Sequence, residues 1–464
     1  MKKFFEGTCV DYTFDGLGIC KTEQGIPVFC RGMIRQEVAL ISYKETSKSY
    51  YEGQIERFIN LSPHRVIPPC KLASICGGCQ LMHMAYSEQC NLKRNYVADV
   101  LKKVGGIDIE PLPIIKNDNP YRYRNKVQVS YAYDFKGNII SGFYAEKTHQ
   151  VINRDVCLLE SEIADQIASY FKELLIKYHI EPYDSSSSKI RGCIKHLLVR
   201  TSSLNEVMVV IVSATASLKK KDMIVKNLLK KFPSIKTIVH NINPIKGNKI
   251  LGDQEYVLFG EGYINDILCG LKFKISPKSF YQVNHDQTEK LYNTALQMAS
   301  LKKDDYVLDA YCGIGTIGLC ASRYVKKVVG VEIVEDAIKN ARENAKNNKI
   351  TNARFYVGDA SSFMEQLKKK DEHFDVAFID PPRGGCDKRF INSLMDFAPE
   401  KIIYISCNPA TLARDLKTFT DKYEIKKVQP LDMFSNTYHV ETVVLLSHKK
   451  LDEHINVKVD FGED

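Results

Sequence analysis

Apolar and polar positions follow three successive patterns along the chain. In residues 1–60, short apolar runs alternate with polar positions and turn-forming glycines, which predicts several short strands. The runs cover residues 8–10, 16–19, 26–29 and 38–41. Short strands at this spacing are typical of a small β-barrel, and an oligonucleotide-binding (OB-like) barrel fits the length. Pro63, Pro68 and Pro69 predict a linker after it.

The middle of the chain, from residue 70 to about 270, mixes helical and extended patterns. The apolar spacing predicts a helix over residues 87–104 and strands over 126–130 and 207–212. We therefore expect a mixed α+β domain here.

From residue 271 onward, apolar runs of strand length alternate with helical segments, most clearly over residues 335–347. The runs cover residues 306–308, 328–331, 376–379 and 402–405. This alternation is typical of a doubly wound α/β domain with a Rossmann-like parallel sheet. The three patterns together predict three domains, which cover residues 1–62, 63–270 and 271–464.

Composition narrows the class of protein. The chain has 464 residues, enough for several domains with cores of their own, and its formal net charge of +9 favours a polyanionic partner. No apolar run is long enough to span a bilayer and no signal-peptide pattern follows the first residues, so we expect a cytoplasmic protein. In a reducing compartment, fourteen cysteines indicate metal ligation or catalysis rather than disulfides.

One cysteine lies where α/β sheets carry their chemistry. Cys407 follows the apolar run 402–405 and precedes Pro409 and a helix-forming segment, so it is predicted at the carboxyl end of a strand. A helix N-terminus beside it would lower the pKa of the thiol and favour the nucleophilic thiolate. The alternative is a small buried core residue, the commoner role of a cysteine.

A glycine-rich loop follows the predicted strand 306–308. The glycines in 313–318 match a dinucleotide-binding pattern and would let the backbone approach a ligand, while Glu332 is placed to bind ribose hydroxyls. Asp309 before the glycines and the rigid Asp380-Pro381-Pro382 turn favour S-adenosylmethionine over a dinucleotide. A plain strand-to-helix turn is the alternative.

Four segments, taken together, are specific to one family. They are Ser406-Cys407-Asn408-Pro409, Asp380-Pro381-Pro382-Arg383, the loop 309–315 and the segment 275–284. They resemble the RNA uracil-C5 methyltransferases, and the resemblance covers essentially the whole chain. It implies a class I S-adenosylmethionine-dependent enzyme that forms 5-methyluridine in RNA. The N-terminal barrel looks like the TRAM domain of that family.

The resemblance implies two catalytic residues. C5 of uracil is a poor nucleophile toward a methyl sulfonium, but a thiolate that adds at C6 turns the ring into an enolate that can attack. Cys407 would be that nucleophile, and Glu441, in the segment 437–442, would remove the C5 proton. The alternative for Glu441 is a surface carboxylate. Ser435-Asn436 stand where family members often have proline and then glutamine or histidine.

The resemblance also implies the residues that bind S-adenosylmethionine. They are Gln282, Tyr311, Glu332 and Asp380. Tyr311 would pack near the cofactor, Glu332 would hold its ribose, and Asp380 would lie between cofactor and uracil. Asp359 would reach the adenine side. Phe280 would stack on the target base or the cofactor, the alternative being an ordinary core aromatic.

A cysteine cluster opens the second predicted domain. Cys70, Cys76 and Cys79 have C-x5-C-x2-C spacing and can supply part of a four-ligand metal site. By the resemblance, Cys157 is the fourth ligand and the metal is a [4Fe-4S] cluster. Zinc is the alternative for a four-cysteine site. The spacing differs from that of radical enzymes, so we expect a structural or RNA-folding role.

The segment 121–126 interleaves aromatic rings with cations that can stack on bases and hold phosphates. Alternation along a strand would place Arg122, Arg124 and Lys126 on one face toward RNA, a solvated strand edge being the alternative. Family members with both the barrel and the cysteine cluster typically act on large-subunit ribosomal RNA. The expected substrate is therefore 23S rRNA, with the tRNA T-loop as the alternative, and the expected state is a monomer.

Two other functions are compatible with the sequence. An N-methyltransferase that used the Asp380 turn would not need the thiol of Cys407. An iron–sulfur RNA-binding protein without catalysis would not bind S-adenosylmethionine.

Overall fold

The computed structural model describes residues 2–45, 47, 49–145, 148, 150–184, 191–247, 249–369 and 372–449. Within those residues the chain forms three large sheets and a two-stranded hairpin, together with nine α-helices. No helix in this described part is both long and apolar enough to cross a membrane.

The first sheet is built from short strands, as the alternating pattern predicts. Its strands are β1 (Lys3–Thr8), β2 (Asp11–Tyr12), β3 (Gly18–Lys21), β4 (Pro27–Cys30), β5 (Val38–Lys44) and β6 (Tyr51–Asn60). They are hydrogen-bonded in the order β1-β5-β6-β4-β3-β2. The side chains of Cys20, Val28, Cys30 and Ile41 have no exposed surface, because alternate residues of these strands enclose a small core.

Helix α1 (Tyr86–Lys103) follows the linker and confirms the helix predicted over 87–104. A second sheet and two helices come next. They are β7 (Lys126–Tyr133), β8 (Ile139–Tyr144), β9 (Val151–Asn153), α2 (Glu162–Lys177), β10 (Ile194–Thr201), β11 (Val207–Ser213), α3 (Lys221–Lys231), β12 (Ile235–Ile242) and β13 (Gln254–Phe259). The strand order is β13-β12-β11-β10-β7-β8-β9, with α2 and α3 packed on one face. Strands β7 and β11 confirm the two strands predicted here.

A hairpin, β14 (Ile264–Leu268) and β15 (Leu271–Ile275), leads through helix α4 (His285–Ala299) into the third sheet. Its elements are β16 (Tyr306–Ala310), α5 (Thr316–Ala321), β17 (Lys327–Glu332), α6 (Glu335–Asn347), β18 (Ala353–Val357), α7 (Ala360–Lys368), β19 (Val376–Ile379), α8 (Lys388–Phe397), β20 (Lys401–Ser406), α9 (Pro409–Phe419), β21 (Tyr423–Leu431) and β22 (Glu441–His448). The order is β18-β17-β16-β19-β20-β22-β21. Five strands are parallel, which confirms the α/β prediction, but β22 runs antiparallel to both its neighbours.

Strand β20 shows why apolar runs in this region are continuous. Ile403 and Ile405 belong to one core, which includes residues of α4, α5 and α6, whereas Ile402 and Tyr404 belong to a second core with residues of α7, α8 and α9. All four side chains have no exposed surface. A parallel strand covered by helices on both faces needs apolar residues at every position.

Helix α1 connects the first sheet to the third. Near its start, Glu88 Oε1 accepts a hydrogen bond of 3.0 Å from the hydroxyl of Tyr12 in β2. Further along, Lys93 forms an ion pair with Asp432, which follows β21, and both side chains are almost fully buried. The hydroxyl of Tyr86 donates to the same carboxylate at 2.7 Å. These contacts fix α1 against the loop between β21 and β22.

Candidate active site

Five of the predicted site residues lie along one edge of the third sheet. Glu332 ends β17, Tyr311 follows β16, Asp380 follows β19 and Cys407 follows β20, while Glu441 begins the antiparallel strand β22. Because the sheet order is β17-β16-β19-β20-β22, these residues occur side by side at the carboxyl ends of the parallel strands. This edge is where ligands bind in open α/β sheets.

Cys407 and Glu441 are neighbours across two strands. The last hydrogen-bonded pair of β20 and β22 joins Ser406 to Thr442, so the next residues outward are Cys407 and Glu441. Glu441 is only 3% exposed, which excludes the alternative of a surface carboxylate. Cys407 is half-buried and lines a cavity of about 160 Å³, so it is not a closed core residue either. Thiol and carboxyl therefore occupy one site.

The glycine loop is shaped by close contacts. Asp309 Oδ2 accepts a 2.8 Å hydrogen bond from the N–H of Gly318, and Glu332 accepts one of 3.3 Å from the N–H of Gly313. Gly315 has φ +80°, and a Cβ there would lie 2.9 Å from the ring of Phe355. The loop thus needs glycine for its own packing, and it presents backbone N–H groups beside Glu332 at the sheet edge.

The pKa values of the acidic groups at this edge are raised. Burial raises the pKa of Glu441 to about 8, with a further contribution from Asp380 and an opposing one from Arg383. Burial alone raises the pKa of Asp380 to about 7. The pKa of Asp309 is also raised to about 7, mainly by burial. A cationic ligand would stabilise the ionised forms of these groups, so the edge suits a positively charged molecule.

The thiol of Cys407 differs from what the sequence predicts. Helix α9 does begin beside it, and the side chain of Asn408 caps that helix by accepting a 3.1 Å hydrogen bond from the N–H of Ala410. The pKa of Cys407 is nevertheless raised to about 11, first by burial and then by Glu441 and Asp380. The pKa of the thiol is therefore raised where the sequence predicted it lowered, because burial, Glu441 and Asp380 all disfavour the thiolate in the protein by itself.

The other predicted ligand residues do not follow the strands of this row. Gln282 is buried in the segment between β15 and α4. Asp359 caps α7 by accepting a 3.0 Å hydrogen bond from the N–H of Ser362. Phe280 is 69% exposed, which rules out the ordinary core aromatic and leaves its ring accessible to a ligand.

The loop before Glu441 is held firmly although its residues depart from the family pattern. Ser435 and Asn436 are both buried. Ser435 donates a 2.6 Å hydrogen bond to Asp432, and Asn436 exchanges hydrogen bonds of 2.9 and 3.2 Å with the side chain of Gln89 in α1. These contacts order the segment that leads to Glu441.

The four predicted metal ligands line one cavity of about 760 Å³. They are Cys70, Cys76, Cys79 and Cys157. Burial raises the pKa of the Cys79 thiol, and Cys157, Cys76 and Cys70 raise it further, so the four side chains act on one another. Within the residues that the structure describes, no group of three or more His, Cys, Asp or Glu side chains is arranged to hold a metal ion.

The basic segment before β7 is not a strand face. Only Lys126 belongs to β7, and Arg122 has φ +56°, so the three cations do not alternate along one strand. Arg122 donates to the backbone oxygen of Cys157 at 2.7 Å and pairs with Asp165 at 3.3 Å, while Arg124 lines the cysteine cavity. The predicted alternation of the three cations along one strand is therefore wrong, because Arg122 lies in a turn and only Lys126 in β7. Arg122 and Arg124 nevertheless line one cavity together, and their contact with RNA stays a prediction.

Several residues of the site were missed from the sequence. The cavity beside Cys407 is also lined by Phe14 from the first sheet, Tyr96 from α1, and Arg383, Tyr438 and His439. Arg383 could have been found, since it follows the Asp380 turn directly. Phe14 and Tyr96 could not, because their only link to Cys407 is the packing of distant segments.

Comparison with known proteins gives the family. A sequence profile described as tRNA (uracil-5-)-methyltransferase matches residues 85–449. An RNA methyltransferase of Clostridium tetani, described as uncharacterized, is 43% identical over 435 residues, which are 93% of this chain and 94% of that protein. A similarly described RNA methyltransferase of Bacillus cereus ATCC 10987 is 40% identical over 448 residues and covers 96% of both chains.

A solved structure is similar over nearly the same length. The Pyrococcus abyssi tRNA (uracil-54, C5)-methyltransferase in complex with S-adenosyl-L-homocysteine superposes with a TM-score of 0.75 at 26% identity, covering 95% of this chain and 99% of that one. The profile alone spans well over half of the present sequence. The chain therefore belongs to the tRNA (uracil-5-)-methyltransferase family and is an S-adenosylmethionine-dependent RNA methyltransferase of the uracil-5 type.

Proposed function

We propose that this RNA methyltransferase forms 5-methyluridine in 23S ribosomal RNA, with Cys407 as the nucleophile and Glu441 as the general base. The observation that carries the proposal is that these two side chains lie opposite each other, one step beyond the last pair of β20 and β22. Asp380 follows the neighbouring strand and raises the pKa of both. An N-methyltransferase would need neither the thiol nor the buried glutamate.

The first half of the reaction uses the thiol. Cys407 Sγ, once ionised, forms a bond to C6 of the uracil, and the ring electrons move to give an enolate with a nucleophilic C5. C5 attacks the methyl group of S-adenosylmethionine, and the S–CH3 bond breaks to release S-adenosylhomocysteine. The sulfonium charge favours thiolate formation, which the neighbouring carboxyls of Glu441 and Asp380 otherwise oppose.

The second half uses the carboxyl. Glu441 removes the proton from C5, the C5–C6 double bond reforms, and the C6–S bond breaks to regenerate the thiolate of Cys407. The pKa of about 8 makes the ionised carboxylate of Glu441 a stronger base than an ordinary one, although most of the carboxyl is protonated at neutral pH unless a cationic ligand stabilises the ionised form. For S-adenosylmethionine we propose Gln282, Tyr311, Glu332 and Asp380 as the binding residues.

Methyl transfer from labelled S-adenosylmethionine to unmodified 23S rRNA and to unmodified tRNA tests the proposal. Cys407→Ala should lower the rate of 5-methyluridine formation by roughly 10³-fold or more while S-adenosylmethionine still binds. Cys193→Ala, at a half-buried cysteine directly before β10, is the matched control and should keep wild-type activity. Retained turnover by Cys407→Ala would exclude the thiol mechanism and favour the N-methyltransferase.

The T-loop uridine of tRNA is the second candidate substrate. It is favoured by the printed activity of the Pyrococcus abyssi enzyme, which matches 95% of this chain and so extends over the N-terminal and cysteine-containing regions as well. If 5-methyluridine forms in tRNA alone, the mechanism stands and the substrate is tRNA rather than 23S rRNA. Product in neither RNA, with S-adenosylmethionine bound, would contradict the proposed activity, and failure to bind S-adenosylmethionine would favour a non-catalytic RNA-binding protein.

We further propose that Cys70, Cys76, Cys79 and Cys157 hold a [4Fe-4S] cluster. The chemistry of the donor set supports the proposal, since four thiols line one cavity and thiolates are the usual ligands of such clusters, although the described side chains are not arranged around a metal position. The cluster would tie the loop 70–79, which contacts the end of β8 through Cys76 and Ala145, to Cys157 after β9, a cross-link that a reducing compartment would not provide through disulfides. It has no part in the methyl-transfer steps above.

Metal analysis of anaerobically purified protein tests this assignment. We expect about four iron atoms and as much acid-labile sulfide per chain, lost in Cys79→Ser and retained in Cys193→Ser. Zinc in place of iron would identify the alternative four-cysteine site. Absence of bound metal from the wild-type protein would contradict both.

We propose the domain division predicted from the sequence, with residues 1–62 as a TRAM-type OB-like barrel, 63–270 as the central region and 271–464 as the catalytic domain. The first sheet, with its own core, supports the first division. Residues 450–464 of the third lie outside the described residues. We also propose a cytoplasmic monomer. Limited proteolysis and sedimentation would test these two points.

A further inference from the structure

The cavity beside Cys407 has an aromatic wall that the reaction above does not use. Phe14 lies on the turn between β2 and β3, and its side chain is 58% exposed. Its ring centroid lies 6.4 Å from that of Tyr96 and 6.2 Å from that of Tyr438, and the ring of Tyr438 lies 4.3 Å from His439. We call Phe14, Tyr96 and Tyr438 the aromatic wall.

The turn that carries Phe14 is held by its own hydrogen bonds. The N–H of Thr13 donates to the backbone oxygen of Leu17 at 2.8 Å, and the N–H of Gly16 donates back to Thr13 at 3.0 Å. Gly16 has φ +82°, and a Cβ there would lie 2.6 Å from Leu81. The turn therefore packs closely on the segment before α1, and Phe14 is positioned by a rigid support.

The first sheet is also fixed to the catalytic loop. Ile34 from the first sheet's region packs with Leu81 and Leu92, and both Tyr12 and Tyr438 pack against this cluster. Tyr438 lies three residues before Glu441, so one small core holds the N-terminal sheet beside the catalytic residues. Phe14 consequently keeps its place over the Cys407 cavity although it lies far away in sequence.

The surroundings of the wall suit a nucleobase and its phosphate. Burial lowers the pKa of His439 to about 4, and Arg383, Lys93 and Arg124 lower it further, so its imidazole is neutral at physiological pH and can stack. Arg383 lines the same cavity and is exposed, which leaves a guanidinium free to approach a phosphate. Aromatic faces beside a cation are the usual elements of single-stranded RNA recognition.

We propose that the aromatic wall is a stacking site for an unpaired RNA base adjacent to the target uracil. The N-terminal sheet then contributes directly to the catalytic pocket through Phe14, in addition to any RNA contacts elsewhere. A uracil can reach Cys407 only when it leaves the base stack, and its neighbour then loses a stacking partner that the wall replaces. The location of this site rests on the proposed role of Cys407, but stacking can be measured without turnover.

The chain has no tryptophan, so one introduced indole reports on a single place. Phe14→Trp puts the reporter in the wall, and Phe4→Trp puts it on β1 at a residue with the same 58% exposure. On titration with a short single-stranded oligouridylate, we expect saturable quenching of the indole fluorescence in Phe14→Trp alone, because a stacked base quenches it. If the indole fluorescence of both variants is quenched to the same extent, or is quenched in neither, the proposal is overturned.

Kinetics provide the second test, with the RNA that the wild-type enzyme methylates. Phe14→Leu should raise the KM for RNA about tenfold, as expected for loss of one base–aromatic stack, without changing S-adenosylmethionine affinity. Phe14→Tyr should restore the wild-type KM for RNA, and Phe4→Leu should have the same KM as the wild-type enzyme. An unchanged KM in Phe14→Leu would contradict the stacking site. If wild type forms no 5-methyluridine, the proposed function fails, and the fluorescence titration still decides the stacking site.

Discussion

The buried environment of Glu441 raises the pKa of its carboxyl, which suits proton transfer but lowers the stability of the folded protein. It is buried at the start of β22, and its pKa is raised from 4.5 to about 8. For an acid with a raised folded-state pKa, the folded protein is penalised for ionisation, so stability falls as pH rises from about 4.5 to about 8 and stays level above. Groups tuned for proton transfer commonly carry such a cost.

Glu441→Gln should therefore gain stability while it loses function. Removing the ionisable group should raise the free energy of unfolding by about 2–3 kcal/mol at pH 7, where the unfolded state gains from ionisation and the folded state does not. The gain should be much smaller near pH 4.5, where the wild-type carboxyl is protonated in the folded state and half protonated in the unfolded one. The same variant cannot accept the C5 proton, so a covalent RNA adduct should accumulate as a slow band in a denaturing gel. Thermal unfolding at the two pH values and the gel measure both effects.

The matched control is Glu424→Gln, at an exposed glutamate of the neighbouring strand β21. It should change neither stability, within about 0.5 kcal/mol, nor turnover. In the wild-type enzyme, the rate of proton removal should increase with pH up to about 8, the pKa of Glu441, since only the carboxylate accepts the proton. Complete turnover by Glu441→Gln would remove Glu441 from the role of base.

The glycine loop shows how one element serves both packing and ligand approach. Gly315 and Gly313 both have positive φ, at +80° and +54°. A Cβ on Gly315 would lie 2.9 Å from Phe355 and 3.2 Å from Ala341, whereas a Cβ on Gly313 would have no atom within 4 Å. Two glycines in the same loop are thus under different constraints.

Gly315→Ala should destabilise the protein more than Gly313→Ala does. Both substitutions strain a left-handed backbone by about 1 kcal/mol, but only the first also forces Phe355 to move, which we expect to add about 1–3 kcal/mol. Displacement of the loop in Gly315→Ala should also weaken S-adenosylmethionine binding at least tenfold. Thermal unfolding and calorimetric titration would measure the two effects. Equal unfolding temperatures of the two variants would show that Phe355 does not constrain the loop.

Sequence patterns predicted elements well where burial imposes one period. The helix expected over 335–347 matches α6 residue for residue, and the run 402–405 lies within β20 because both faces of that strand are covered. The antiparallel direction of β22 was not predicted, since strand direction depends on pairing between distant segments. The positive φ of Arg122 likewise reflects the turn around Cys157 rather than any local propensity of arginine.

The candidate site was predictable for a similar reason. Cys407 and Asp380 end apolar runs, so their position at the sheet edge follows from the parallel strands alone. The direction of the shift in the thiol pKa was not predictable, because it depends first on burial and then on Glu441 and Asp380, which come from other strands. Phe14 was not predictable either, since its place depends on how the first sheet packs.

At the scale of the whole molecule, helix α1 joins the N-terminal sheet, the central region and the catalytic loop. Its ion pair between Lys93 and Asp432 is buried, with both side chains about 1% exposed. Asp432 also accepts hydrogen bonds from Tyr86 at 2.7 Å and Ser435 at 2.6 Å. One carboxylate therefore holds α1 against the loop that leads to Glu441.

Lys93→Met should remove the cation and leave Asp432 buried without it. We expect a loss of about 3–5 kcal/mol of unfolding free energy, because an uncompensated buried charge is costly, and a fall in kcat, because Glu441 loses its support. Lys103→Met, at an exposed lysine of the same helix, should cost less than about 0.5 kcal/mol. Denaturant unfolding and methyl transfer would measure these differences.

The double variant Lys93→Met with Asp432→Asn separates charge from packing. If the uncompensated carboxylate causes the loss, neutralising Asp432 should recover part of the stability, so the double variant should be more stable than Lys93→Met alone. If the lysine stem matters only through its packing, the second substitution should give no recovery. If Lys93→Met has the same unfolding free energy as Lys103→Met, the ion pair between Lys93 and Asp432 does not couple α1 to the catalytic loop. In that case the apolar contacts of Leu81 and Tyr438 hold the N-terminal and catalytic regions together.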